Sequence, residues 1–133
     1  MRHFTPEEAN AALVQVRPLV EQMVEHRRAH VEALERQEEL ELRIRGNGGG
    51  IPPAELAEAA AEVDRHAREL ARAVDDIAEL GVEVKDLDEG LVDFPALRHG
   101  ETVLLCWQLG EVEIGYWHSP QDGFAGRRPL PLD

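Results

Sequence analysis

Cysteine is nearly missing from this 133-residue sequence: Cys106 stands alone. A lone cysteine excludes an internal disulfide, and it fits a reducing compartment. Basic residues are also scarce, with 14 Lys and Arg against 27 Asp and Glu and a net charge of −13. That balance argues against nucleic acid and anionic membrane surfaces, because both are bound largely by neutralising phosphate with Lys and Arg. No apolar run approaches the ~20 residues that span a bilayer. The opening Met1-Arg2-His3-Phe4-Thr5-Pro6 turns polar where a secretory signal needs its apolar stretch. These absences predict a cytoplasmic protein with no nucleic acid and no membrane among its partners. Cations, basic proteins and small molecules remain as ligands.

Aromatic residues are few and unevenly placed. Residues 1–80 hold only Phe4, whereas residues 81–133 hold Phe94, Trp107, Tyr116, Trp117 and Phe124. The chain therefore reads as a single domain, 1–133, in two parts. Residues 1–80 form a helical hairpin built from Ala, Leu and Val. Residues 81–133 form a β-sheet part with an irregular C-terminal tail. The fold class is α+β: a long antiparallel helical hairpin followed by a small antiparallel β-sheet of three or four strands.

The first helix has a clear start. Thr5 suits the N-cap, Pro6 the first helical position, and Glu8 completes a capping box. Ala9, Leu13, Val16, Val20, Met23, Arg27, His30 and Leu34 then follow at spacings of four and three, and helical character lasts to about Arg45. The stretch RGNGGGIPP ends it, since glycine disfavours helix and the prolines can open the next one. In the second helix, roughly 53–80, Leu56, Ala60, Val63, Ala67, Leu70, Val74 and Ile77 repeat at the spacing of a coiled-coil seam. Gly81 is a natural stop. About forty residues against twenty-eight gives roughly 60 Å against 42 Å at 1.5 Å per residue. Residues 6–17 should therefore overhang, bend at Pro18, and pack on the β part.

In the second part GVEVKD alternates as a strand and LDEG reads as a turn. LVDFP is a short strand that Pro95 confines to an edge or an end. RHGE turns into TVLLCWQ, which a loop at Leu109-Gly110 joins to VEIGYWH. A four-residue loop from Gln108 to Glu111 pairs Trp107 with Val112, Leu105 with Ile114 and Val103 with Tyr116. Burying large apolar side chains at roughly 1.5–3 kcal/mol each favours this register. It makes Val112, Ile114 and Tyr116 core, and puts His118 at the rim opposite Glu101.

Three blocks carry a resemblance: GVEVKDLDEGLVDFPA, LCWQLGEVEIGYWH and GFAGRRPL, in that order. With the opening FTPEEANAALVQVRPLV, the chain resembles over nearly its whole length an uncharacterised bacterial family, domain of unknown function 2203. The resemblance marks Lys85, Asp86, Asp93, Trp107, Glu111, Tyr116, Trp117, His118 and Arg127 as signature positions and implies no role for any of them. The glycine-rich hairpin loop is the one departure.

The chemistry-bearing residues gather at the rim of the sheet: Asp86, Asp88, Asp93, Glu101, Glu111, His118 and Asp122. Carboxylates are hard oxygen ligands and neutral imidazole binds borderline metals, so His118, Glu101 and Asp93 are candidate ligands of a divalent metal ion. A carboxylate would equally tune His118 for acid–base work, with Asp86, Asp93 or Glu101 as its partner. A histidine–carboxylate bond closing the edge of a core is the plain structural alternative. In HRRAH, His26 and His30 lie one helical turn apart and hairpin pairing brings His66 close. Arg27 and Arg28 would repel a cation there, and solvated histidines are the expectation. Arg127 and Arg128 could grip an anion or pin the tail. Cys106 reads as a small packed hydrophobe. GNGGG lacks the Lys-Ser/Thr of a phosphate loop.

Leu40, Leu42, Ile44, Val24 and Val31 fall off the clean seam and need burial, which points to a homodimer. The functional expectation is a dimeric binding protein whose sheet presents an aromatic-acidic patch to a protein, a metal or a small ligand. Trp107, Glu111, Trp117 and Arg127 would contact that ligand. The alternative is a small metal-assisted or acid–base enzyme built on His118.

Overall fold

The structure is a computed structural model, and it describes residues 1–47 and 50–133. Helix α1 (Pro6–Asn47) and helix α2 (Pro53–Glu79) are followed by five strands: β1 (Glu83–Asp86), β2 (Leu91–Arg98), β3 (Glu101–Gln108), β4 (Tyr116–His118) and β5 (Arg128–Pro129). The expected glycine-rich loop falls partly on residues 48–49, outside the described residues. The sheet is antiparallel throughout, in the order β1-β2-β3-β4-β5. It has five strands rather than three or four, because the tail expected to be irregular adds a two-residue strand at the edge.

The local signals at the helix ends act as their chemistry requires. Thr5 N–H donates to Glu8 Oε1 at 2.8 Å and Glu8 N–H to Thr5 Oγ1 at 3.1 Å, a reciprocal capping box. At the end of α2, Gly81 takes φ +86°, and the amides of Gly81 and Val82 return to the carbonyls of Ala78 and Ile77. This is a Schellman closure, and it needs a residue at ease with positive φ. α1 continues through Pro18. The residue four before it, Val14, is exposed, so the carbonyl that loses its partner faces solvent.

Ala9, Leu13, Val16, Val20 and Met23 are all buried as the spacing predicts. They share one core with Ala73 and Ile77 of α2 and with Val92, Phe94, Ala96, Val103, Leu105, Trp107 and Trp117 of the sheet. The seam departs from expectation beyond Met23. Arg27 turns outward to Asp88 (3.0 Å), Leu34 is 42% exposed, and the buried line moves to Ala33 and Leu40. On α1 the core reaches only to Val24, and on α2 only to Leu70.

Pro95 lies within β2, not at its end, yet β1 pairs only as far as Asp93. The Pro95 carbonyl accepts Phe4 N–H at 2.7 Å on that side, so the missing amide falls where β1 has already stopped. His99 (φ 53°) and Gly100 (φ 79°) make the tight two-residue turn that sets Arg98 opposite Glu101.

The last hairpin differs most from expectation. β4 pairs Leu104 with His118, Leu105 with Trp117 and Cys106 with Tyr116, three residues away from the expected register. Residues 109–115 leave the ladder because other groups claim their polar atoms. Gln108 N–H donates to Glu111 Oε1 (2.8 Å), Trp107 Nε1–H to the Glu111 carbonyl (3.1 Å), and Arg17 to the carbonyls of Glu111 and Val112. Asn10 accepts the Ile114 amide at 2.8 Å. Val112 is consequently 87% exposed and Tyr116 is 38% exposed, and only Ile114 is core. An odd shift also exchanges faces. Trp117 joins the helix-facing core, and His118 turns to the opposite face beside Leu104 and Cys106.

Candidate functional site

That second face holds the most concentrated chemistry in the chain. Asp93 on β2 lies directly opposite Cys106 on β3, and β4 sets His118 beside them. The three are buried, Asp93 at 1% and His118 at 4% exposure, and Cys106 fully. One ligand atom from each lies within 4.8 Å of the others.

The hydrogen bonds define the imidazole. His118 Nδ1 lies 2.7 Å from the Ser119 carbonyl, which can only accept, so Nδ1 carries a hydrogen. Nε2 then faces both oxygens of Asp93, at 3.1 Å each. Without a cation, a further proton must sit between Nε2 and the carboxylate. Burial pushes Asp93 above the ordinary carboxylate range, against the opposing pull of His118 and Lys85. Burial, followed by the nearby Asp93 charge, pushes the Cys106 thiol up to about 12, so it is no free nucleophile.

These three side chains are close enough together to hold a metal ion. A histidine that ligates through Nε2 commonly donates Nδ1–H to a backbone carbonyl, which fixes the ring. Two ligands about 2.0–2.1 Å from a tetrahedral zinc ion are about 3.3 Å apart, close to the Nε2–carboxylate spacing here. A cavity of about 150 Å³ adjoins Asp93 and His118, lined also by Lys85, Leu91, Leu104 and Phe124.

The other expected site residues separate. Glu101 is exposed, and it pairs with Arg98 rather than standing opposite His118. Asp86 caps the β1–β2 turn by accepting the amides of Asp88 and Glu89 at 2.9 Å. Trp107 is fully buried and Trp117 nearly so, which removes both indoles from any outward patch. Glu111 and Arg127 bind each other at 2.7 Å, with the guanidinium 3.9 Å from the Tyr116 ring centre. They pin the loop and the tail together. Arg128 instead stacks over Trp117.

Asn10, Arg17 and Ser119 carry structural duties that no sequence motif announces. An asparagine inside a helix is the one faint signal, since its side chain competes for backbone partners. Cys106 is buried as expected of a small packed hydrophobe, and its place beside His118 follows from a last-hairpin register other than the expected one.

A second cluster lies midway along the helices. His26 Nδ1 approaches Glu69 Oε2 at 3.1 Å, and the His26 and His66 rings are 5.7 Å apart. Among the described residues, no helix is long and apolar enough to cross a membrane.

The model of an uncharacterized conserved protein family (DUF2203) matches residues 2–130. No curated protein and no solved structure matches the chain.

Proposed function

The chain belongs to the DUF2203 family, and we propose that it is a binding protein that holds one divalent transition metal at Asp93, Cys106 and His118. The observation that carries this reading is the convergence of a carboxylate, a thiol and an imidazole at one buried point. The Ser119 carbonyl fixes the imidazole so that Nε2 aims inward. One nitrogen, one oxygen and one sulfur ligand suit zinc, and three protein ligands leave a position open. That position meets the small cavity, where Lys85, itself 3.0 Å from Glu83, is the one cation on the wall among the described residues and favours an anion. A volume of about 150 Å³ is well below the ~300 Å³ at which ordinary ligand pockets begin. The bound molecule is therefore small, of carboxylate or inorganic-anion size.

Hydrolytic chemistry is the second reading, favoured by the same open position. A zinc-bound water there would be acidified toward neutrality, and the cavity would restrict substrates to the same small class.

Assembly is part of the proposal. The groove on α1 around Val24 and Val31 carries Arg27 and Arg28, paired within the chain to Asp88 and Glu25, toward one end and Glu32 and Glu35 toward the other. A two-fold axis near Val31 would set these guanidinium groups beside the acidic end of a second copy and give them a further partner. The reading remains that of a cytoplasmic dimer.

Elemental analysis of the purified full chain tests the metal. At least one equivalent of zinc is expected, and cobalt replacement should give a sulfur-to-cobalt charge-transfer band that Cys106→Ser abolishes. A folded protein that takes up neither ion with that band overturns the reading.

A further inference from the structure

The helical stem contains a second constellation, independent of the sheet site. His66 and Glu69 are three residues apart on α2, hence on one face, and His26 reaches across from α1. One atom of each lies within 4.8 Å of the others. His26 Nδ1 and Glu69 Oε2, 3.1 Å apart, are in ion-pair range without the alignment of a hydrogen bond. Among the described residues, the Nδ1 atoms of His26, His30 and His66 are all shut off from solvent and have no hydrogen-bond partner. Leaving the nitrogens of His26 and His66 unmatched in one cluster is unfavourable unless something supplies the partner.

Neighbouring charges are balanced rather than repulsive. Arg65 lies 3.4 Å from His66 Nε2, and Glu62 takes up both Arg65 and His66. A cavity of about 150 Å³ opens beside His26 and Glu69, lined by Gln22, Arg72 and Asp76. Arg27, a neighbour of concern on the sequence alone, is drawn away to Asp88.

We infer that His26, His66 and Glu69 form a second, solvent-accessible site for a divalent metal of the zinc class, bridging the two helices. Two imidazoles and one carboxylate are a recurrent ligand set for zinc and for non-haem iron, with the remaining positions open to water. The location gives the ion a mechanical task. The shared core ends at Val24 and Leu70, and the cluster begins immediately beyond it. The ion holds the helices together where the sheet no longer supports them.

Zinc chloride titrated calorimetrically into the metal-free full chain tests this. Two equivalents are expected for the native sequence, with the stem equivalent lost in His66→Ala and weakened about 100-fold in Glu69→Gln. Cobalt distinguishes the two sites, because the stem has no sulfur and gives no charge-transfer band. Loss of the band with the sulfur-free equivalent retained defeats only the sheet reading. His26→Ala and His66→Ala variants that titrate as the native chain does would overturn the stem site. Hydrogen exchange supplies the folding control: zinc should slow exchange across residues 59–69 in the native chain and not in His66→Ala. Equal slowing in both also overturns it.

Discussion

The Cys106 thiol makes a measurable demand on alkaline stability. In the metal-free fold it is pushed from 9.0 to about 12, first by burial and then by the charge of Asp93. Above about pH 9 the unfolded chain releases this proton while the native chain keeps it. The native state then binds more protons, so stability falls as pH rises, by about 1.36 kcal/mol per unit. The contribution is intact below pH 9 and declines until the folded thiol itself ionises near 12. At pH 10 the loss relative to pH 8 is about 1.4 kcal/mol. Full burial of Cys106 leaves little solvent to soften it. Urea denaturation with a chelator present, for the native chain and Cys106→Ala from pH 8 to 10.5 (about the practical limit), isolates the term. Other titrating groups are common to both proteins and cancel in the difference. Removing the sulfur shifts the variant's line by a constant packing cost of about 1 kcal/mol, whereas the thiol changes the slope. Parallel lines would refute the reasoning. With zinc bound, the thiolate is a ligand in the folded state, so the negative slope difference should disappear above about pH 9 and reverse sign below it.

Three further outcomes follow from the packing. Asp93→Ala should destabilise the metal-free protein by about 3–5 kcal/mol by stranding His118, and the double variant Asp93→Val/His118→Leu by clearly less; chemical denaturation reads both. Arg127→Ala should cost about 2–3 kcal/mol through the lost bond to Glu111, with faster hydrogen exchange at the Gln108 amide and across 109–115 than elsewhere in the sheet. Gly90→Ala should cost at least about 2 kcal/mol, read as a lowered melting temperature. Gly90 sits at φ +68°, and a Cβ there would meet Leu109 at 2.9 Å and Val20 at 3.0 Å.

What could be read from the sequence followed from local chemistry. Thr5, Pro6, Glu8 and Gly81 define helix ends through bonds within a few residues, and the seam from Ala9 to Met23 follows one period. The turn at His99-Gly100 fixes Asp93 opposite Cys106 by counting alone, so part of the face shared with His118 is within reach of the sequence. The position of β4 was not. Asn10 and Arg17 decide it from a helix about a hundred residues away, by satisfying backbone groups that an isolated hairpin would pair with each other. Hydrophobic bookkeeping favoured the regular ladder, and long-range polar satisfaction outweighed it. The same slip explains why Glu101 stood in for Cys106 as the neighbour of His118. The seam beyond Met23 failed for a related reason, since Asp88 draws Arg27 off the line that spacing assigned to it.

The early end of the shared core at Val24 and Leu70 has an architectural consequence. Beyond that point, past the bond from Arg27 to Asp88, the helices lie against each other and not on the sheet, as the uprights of a ladder do. Whole turns added to or taken from both together beyond Arg27 would leave the packing of the strands in place. Reach and recognition are thereby free to change separately.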